Sequence, residues 1–331
     1  MNKLKVISLF SGYGTQELAL NYIGVDYENV ANCDILKTAN IAYDSLHETT
    51  LGNLGDISKV SEDNYPQCDL MTYSFPCQDI SISGIQKGIQ RGTRSGLLYE
   101  VERILTKNQP KYLLMENVKN LVSHNHIENF KSHISFLNDL GYGCSWKVLN
   151  GANFGCPQNR ERVFMMSVYG MTNEEVESIM SGVDKHRKDR VSMRSFIDKD
   201  IKEDLFIECE ITPNTPKKDS VCKLVARRND VKYDQARRIY SIDGCSPCLT
   251  TTGSPQIMVD GRVRTITGRE GYRFMGVRED DITKLLSTNL STNNHIALAG
   301  NSICVPVMEA IFTEFLGEYI KPTFKKEETN C

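Results

Sequence analysis

The sequence predicts an α/β protein in two parts, a large domain of strands alternating with helices and a second, smaller domain. Three observations predict it. Through the first half, short apolar runs alternate with helical patterns of roughly 10 to 15 residues, the pattern of a doubly wound parallel sheet. After about Tyr169 the chain turns to short, polar, basic stretches punctuated by TPNTPKKD and CSPCLTTTGSP. Apolar helical order returns in SICVPVMEAIFTEFLGEYI (302–320), which most simply packs back on the first sheet. With 331 residues there is room for both cores, and the expected division is 1–180, 181–275 and 276–331, the last a hinge and terminal segment returning to the first domain.

In chain order, KVISLF (5–10) is a short apolar strand ending in SGYG, and TQELALNYI follows with Leu18, Leu20 and Ile23 spaced for a helix lying on a sheet. YENVANC and ILKTANIAYDSL repeat the alternation. CDLMTYSF then leads into a long loop, followed by LLYEVERIL, KYLLMEN, HIENFKSHISFLNDL and YGCSWKVL. The tail KPTFKKEETNC is polar enough to be solvated. The N-terminus enters a strand at once and no run of about 18 apolar residues occurs, so a soluble, cytoplasmic chain without membrane association is expected.

Eleven cysteines are an odd, scattered set, which argues against a disulfide framework. Cys245 and Cys248 form one C-x-x-C without a second close pair, so no metal is expected. The net charge of -3 is unevenly spread: residues 185–273 carry 19 Lys+Arg against 13 Asp+Glu, in a chain with 39 against 42. A basic segment in an acidic protein suggests one polyanion-binding face.

The motifs narrow the chemistry. In FSGYGT (10–15) glycines stand at a strand-to-helix turn, where positive φ and free helix N–H groups let backbone approach a ligand. Asp34, in ANCD, sits about 20 positions on, where a nucleotide-type site places the carboxylate that meets ribose. Asp56, in LGDIS, is the next acidic residue so placed, and together they suggest an adenosine-containing cofactor. Cys77, in YSFPCQDIS, follows a proline at the mouth of the long loop and is either a packed small hydrophobe or a nucleophile. Four segments, FPCQ (75–78), MENV (115–118), QNRER (158–162) and AGNSICVP (299–306), put polar residues after a strand or before a helix, where open sheets build active sites.

In these segments, in this order, the chain resembles the DNA (cytosine-5) methyltransferases of the compact bacterial or phage type, from Lys5 to about Leu316 except in the basic middle. The resemblance implies a Rossmann-like, S-adenosylmethionine-dependent methyltransferase sheet with a smaller target-recognition domain. It makes Cys77 the thiol that adds to carbon 6 of cytosine and so activates carbon 5 toward the sulfonium methyl. Glu116 meets ring nitrogen 3, and an apolar strand end would raise its pKa and keep it protonated. Arg160 and Arg162, two apart on one strand face, hold the base carbonyl and position the thiolate. For the cofactor, the resemblance implies Phe10 against adenine, Gly12, Tyr13, Gly14 and Thr15 in the turn, and Asp34 on ribose. It further implies Asp56 on the adenine amine, with Ile57, Pro76 and Leu97 beside it, and Asn301 and Ser302 closing the methionine side.

The glycine-rich loop after Cys77 reads as a lid, with Ser81, Lys87 and Arg94 available to phosphates. A base inside a duplex cannot reach a pocket thiol, so the target cytosine would be flipped out. Arg227, Arg228, Arg237 and Arg238 are candidates for guanine or phosphate, which the sequence does not separate. Duplex DNA is the expected partner of a monomeric enzyme, with a cognate restriction endonuclease or a phage self-protection role beside it. Three departures from the family pattern stand out: Thr15 where many members have glycine, Asp34 one methylene shorter than the usual glutamate, and Cys248 where threonine is common before Leu249. The alternatives are a tRNA cytosine-5 methyltransferase, a non-enzymatic DNA-binding relative, and a nicotinamide-binding oxidoreductase on a similar sheet.

Overall fold

The computed structural model describes residues 3–76, 95–251 and 253–321. It divides into two compact units, one of Met1–Leu149, Glu161–His186 and Met308–Cys331, the other of Asn150–Arg160 and Arg187–Val307.

The first unit is built from β1 (Leu4–Leu9), α1 (Thr15–Tyr22), β2 (Tyr27–Cys33), α2 (Lys37–Asp44), β3 (Leu70–Tyr73), α3 (Leu98–Leu105), β4 (Tyr112–Val118), α4 (Ile127–Asp139), β5 (Tyr142–Asn150), β6 (Glu161–Tyr169) and α5 (Asn173–Gly182). The strands form one sheet in the order β2-β1-β3-β4-β6-β5. β1 runs parallel to β2 and β3, and β3 parallel to β4. Central strands with helices over both faces must be apolar on both, and β3 is buried throughout.

The alternating pattern predicts a parallel sheet, and one strand departs from it: β6 runs antiparallel to β4. The reason lies in the connection. Residues 151–160 between β5 and β6 hold one short 3-10 turn, Gly151–Asn153, whereas a parallel return needs a crossover of about a dozen residues or more.

The helices pack by spacing. α3 turns Leu98, Val101, Ile104 and Leu105 inward, and α4 turns Phe130, His133 and Leu137 inward. Each such apolar side chain, fully buried, contributes about 1.5–3 kcal/mol. His133 is tolerated there because both ring nitrogens are bonded, to the Tyr73 hydroxyl at 2.9 Å and to Glu102 Oε1 at 2.8 Å.

The second unit contains β7 (Phe206–Ile207), β8 (Ile211–Pro213), β9 (Leu224–Arg228), α6 (Asp234–Arg237), β10 (Arg238–Ser241), β11 (Gln256–Val259), β12 (Arg262–Thr265), α7 (Gly268–Phe274), α8 (Glu279–Leu286) and α9 (Thr292–Asn301). Its sheet has the order β7-β12-β11-β10-β9-β8, with β10 and β11 parallel. A small core of Ala226, Ile239 and Val263 lies under it.

Helical order returns earlier than the apolar pattern suggests. α7 and α8 are rich in charge, and their apolar residues are few and spent on burial: Tyr272 and Phe274 in α7, Ile282 and Leu285 in α8. The last helix, α10 (Val305–Phe315), belongs to the first unit from Met308 onward. By length and composition Thr292–Phe315 could cross a membrane, but it is two helices, and 72% of its most apolar window is buried inside the protein.

One buried ion pair organises the second unit. Glu270 accepts from Arg264 Nη2 and the Asp198 amide on one oxygen, at 2.7 and 2.8 Å, and from Arg264 Nη1 and the Thr267 amide on the other, at 2.9 and 2.7 Å. Its backbone N–H in turn donates to Thr267 Oγ1, closing a capping box at the start of α7. Every lone pair of the carboxylate is used, which is the condition under which two fully buried charges are tolerated. Glu270→Ala strands the Arg264 guanidinium, and we predict a loss of about 3–5 kcal/mol, read as a lower urea midpoint.

Candidate active site

In the first unit β1 to β4 are mutually parallel, so their carboxyl ends share one edge. At the end of β1 the backbone takes three left-handed steps, at Phe10 (φ 56), Gly12 (φ 58) and Gly14 (φ 80). Two of these need glycine for different reasons. A Cβ on Gly14 would stand 2.4 Å from His47 Nε2 and 2.9 Å from Tyr43 Cε2. Around Gly12 there is open space, with nothing within 4 Å of a Cβ position, so a ligand can approach the backbone there.

The Gly12 amide donates to Asp34 Oδ2 at 2.9 Å, and the Leu36 amide to Asp34 Oδ1 at 2.8 Å. Burial pushes the Asp34 carboxyl above the usual carboxylate range, opposed by the amides of Leu36, Gly12 and Ile35. A carboxylate has about four acceptor sites, so beyond these amides Asp34 keeps acceptor capacity for a ligand. Asn53 staples the next loop to it. Its Oδ1 accepts from the amides of Asp34 (3.0 Å) and Gly55 (2.9 Å), and its Nδ2 donates to the Asp34 carbonyl at 2.9 Å.

Asp56 follows, held below the usual carboxylate range by the Ser58 hydroxyl and amide, which donate to Oδ1 at 2.8 and 3.0 Å. Between these carboxylates, burial and their negative charge push the Cys33 thiol up to about 12. Phe10 and Leu97 are half-buried against the sheet core. Tyr13, Thr15 and Ile57 are 1%, 3% and 2% exposed, so their side chains face inward and only their backbone is available to a ligand. The sequence reading passed over Ile35 and Leu36. They are 68% and 48% exposed directly after Asp34, and the available signal was two apolar residues in a row where β2 has already ended.

Cys77, Ser81, Lys87 and Arg94 lie outside the described residues. The chain on either side of them is anchored. Asn117 Nδ2 donates to the Phe75 carbonyl at 3.0 Å, and Ser95 Oγ to the Pro76 carbonyl at 2.8 Å. Neither Asn117 nor Ser95 was singled out from sequence, because a bond to a backbone carbonyl leaves no mark in residue spacing.

Glu116, near the end of β4, is 9% exposed, and Arg162 Nε lies 3.2 Å from its Oε1. The register explains the pairing: Val118 faces Arg162 and Glu116 faces Phe164, so the two are diagonal neighbours on one face. The apolar surrounding expected for Glu116 is therefore replaced by a guanidinium. Arg160 and Arg162 also part company. Arg160 precedes β6, belongs to the second unit and is 3% exposed. Its Nη1 donates to the Leu249 carbonyl and the Cys248 sulfur, both at 3.1 Å, and its Nη2 to the carbonyls of Gly300 (2.9 Å) and Ser302 (2.6 Å). Arg160 ties three segments of one unit together.

The remaining candidates also lie in the second unit. Asn301 is exposed, while Ser302 is buried with its hydroxyl on the Ala299 carbonyl at 2.9 Å. Arg227 and Arg238 both pair with Asp234, and Arg228 pairs through two nitrogens with Asp230. Arg237 Nε donates to the Arg228 carbonyl at 2.8 Å. Asn117→Ala leaves the buried Phe75 carbonyl without its donor, and we predict a loss of about 1–3 kcal/mol in urea unfolding.

Comparison with known proteins bears on what this edge does. The family model described as C-5 cytosine-specific DNA methylase matches residues 4–317. The type II methyltransferase M2.ScrFI of Lactococcus lactis subsp. cremoris is 31% identical, over 94% of this chain and 98% of its own. The orphan methyltransferase M.SPBetaI of Bacillus phage SPbeta is 26% identical, over 97% and 99%. The crystal structure of the S. pombe Dnmt2 methyltransferase superposes with a TM-score of 0.70 at 21% identity, over 96% of this chain and 99% of that one, which shows a shared fold. The chain belongs to the C-5 cytosine-specific DNA methylase family and is a DNA (cytosine-5-)-methyltransferase of the restriction-modification or phage kind.

Proposed function

We propose that the edge formed by Phe10 to Gly14, Asp34, Asp56, Glu116 and Arg162 binds S-adenosylmethionine and a cytosine flipped out of duplex DNA, with Cys77 as the nucleophile. The observation that carries this reading is the convergence of five strand ends: the carboxyl ends of four parallel strands and, because β6 is reversed, the amino end that bears Arg162.

The residues fit the cofactor's adenosine. Gly12 leaves open space beside its backbone, Asp34 keeps acceptor capacity for ribose hydroxyls, and Asp56 Oδ2 offers an acceptor for an amine. Phe10, Ile35 and Leu97 supply apolar surface for a purine. When bound, S-adenosylmethionine supplies an electrophilic methyl group on sulfur. The chain's own residues prepare the base for it. The Cys77 thiolate adds to carbon 6, electron density moves toward carbon 5 and ring nitrogen 3, and Glu116 meets nitrogen 3 with a hydrogen bond. Arg162 positions the Glu116 carboxyl and stands beside the base carbonyl. Once carbon 5 carries the methyl group, the cofactor's sulfur having left as a neutral thioether, the carbon 5 proton passes to a water molecule and the Cys77 sulfur departs from carbon 6 as thiolate, which restores the double bond between carbon 5 and carbon 6. Arg160 is a positioning residue in this scheme, since its terminal nitrogens are committed to backbone carbonyls.

The second unit is the target-recognition part, and the enzyme acts as a cytoplasmic monomer, in a host alone or beside a cognate endonuclease. Bisulfite sequencing of DNA from a host that expresses the protein tests the activity directly. Methylated cytosines in a defined motif are expected; unmethylated DNA, or methylation confined to tRNA, overturns the reading.

Cys77→Ala is predicted to abolish methyl transfer while calorimetric binding of S-adenosylmethionine is retained, because the thiol acts on the base alone. For the cofactor, the sign follows from Asp34. Its carboxyl titrates above the ordinary aspartate value of about 3.9, and protonation removes its acceptor capacity toward ribose. Affinity is therefore full at neutral pH and falls on acidification sooner than an ordinary aspartate would dictate. Calorimetry from about pH 8 down to about pH 5 should show this fall, and Asp34→Asn should flatten it while weakening neutral binding by about 1–3 kcal/mol.

A further inference from the structure

The four arginines that the sequence leaves equivalent are not equivalent in the structure. Between β9 and β10 the chain makes the single turn α6, and Asp234 on that turn takes both Arg227 and Arg238. Those two arginines face each other directly across the strand pair. Arg228 closes on Asp230. Three guanidiniums are thus paired with two carboxylates of their own segment and act as a frame for the turn. Gln256, from β11, anchors the same turn through Nε2 to the Ala236 carbonyl at 2.9 Å.

Arg237 differs. It has no carboxylate partner among the described residues, and its one hydrogen bond, Nε to the Arg228 carbonyl, fixes the guanidinium plane while leaving Nη1 and Nη2 as a free fork. Its amide donates to the carbonyl of Tyr233 at 3.2 Å, which joins the last residue of the turn to the extended residue that opens it. Tyr233 is 76% exposed, the most exposed large apolar side chain among the described residues. A braced turn therefore carries an exposed aromatic ring at its start and a planar pair of donors at its end. Lys232 beside it and Lys217 and Lys218 nearby in sequence add further positive charge, which suits a surround that meets phosphates.

We infer that Arg237 is the guanine-reading residue of the recognition unit, its Nη fork bidentate to O6 and N7 in the major groove, with the Tyr233 ring packed against the adjoining base edge. A planar fork matches that edge as an ammonium cannot. Arg227, Arg228 and Arg238 instead set the turn's shape. The inference rests on the proposed DNA substrate and deepens it.

The test compares wild type, Arg237→Ala, Arg237→Lys and Tyr233→Ala by bisulfite sequencing of host DNA and by DNA titration at several salt concentrations. If wild type leaves DNA unmethylated, the substrate reading itself fails. If wild type methylates a motif containing guanine, the inference requires Arg237→Lys, which keeps the charge and perturbs the fold least, to relax that motif at one guanine position. The expected discrimination loss there is roughly ten- to a hundredfold, with the salt slope unchanged. Arg237→Ala should relax the same position, and Tyr233→Ala should weaken binding to the cognate site about tenfold more than to random DNA. An unaltered motif in Arg237→Lys overturns the inference. So does a wild-type motif without guanine, or an Arg237→Ala effect that is uniform across sequences with a slope reduced by about 0.9, the mark of a phosphate contact.

Discussion

The reversal of β6 is the constraint on which the site depends. Had the chain crossed over and returned in parallel, the amino end of that strand, with Arg162, would lie at the opposite edge from Glu116. The short connection forbids the crossover, and the antiparallel register sets Arg162 opposite Val118, one diagonal step from Glu116. An antiparallel ladder fixes that diagonal through backbone hydrogen bonds alone. The pair is held by strands buried on both faces, so its geometry does not rely on the order of any loop. The anchors at Phe75 and Pro76 work in the same spirit, clamping the backbone before Cys77 with side chains from β4 and from the start of α3's preceding turn.

The same logic separates the two arginines of QNRER. They are two residues apart, which on an uninterrupted strand would place them on one face. The strand begins only at Glu161, so Arg160 sits in the connection and turns into the second unit's interior. A buried guanidinium needs its donors met, and four acceptors, three of them carbonyls, meet the two terminal nitrogens. Cys248 is one of these acceptors. A threonine hydroxyl in its place could also accept from Arg160, and so the departure at Cys248 is compatible with the packing of the second unit.

Much of the first unit was legible in the sequence because its signals are local. Apolar runs such as LMTY and YLLMEN reveal buried strands, the glycines of FSGYGT reveal the turn, and Asp34 and Asp56 mark strand ends. What could not be read is non-local. The direction of β6 depends on the length of a connection and on which neighbour it joins. The roles of Asn117 and Ser95 depend on carbonyls far away in sequence, and the guanidinium beside Glu116 depends on register. In the second unit, α7 was hidden by its charge: the residues that make it look like surface, Glu270 and Arg273, are held in ion pairs with Arg264, Asp198 and Glu279.

That last point changes what the basic segment means electrostatically. Counted along the chain, residues 185–273 have an excess of positive charge. Counted in space, many of the arginines are paired at home: Arg194 with Asp243, Arg227 and Arg238 with a shared Asp234, Arg228 with Asp230, Arg262 with Glu203, Arg264 with Glu270. Exposed pairs of this kind contribute little to stability, about 0–1 kcal/mol each, yet they orient the side chains they join and cancel their long-range field. On the proposed reading, much of the positive field toward DNA then comes from the lysines, as point charges that track phosphates without reading sequence. Discrimination falls to the donors the pairs leave over. A recognition surface organised this way keeps its nonspecific attraction and its base reading on different residues, which is the arrangement that lets either change without disturbing the other.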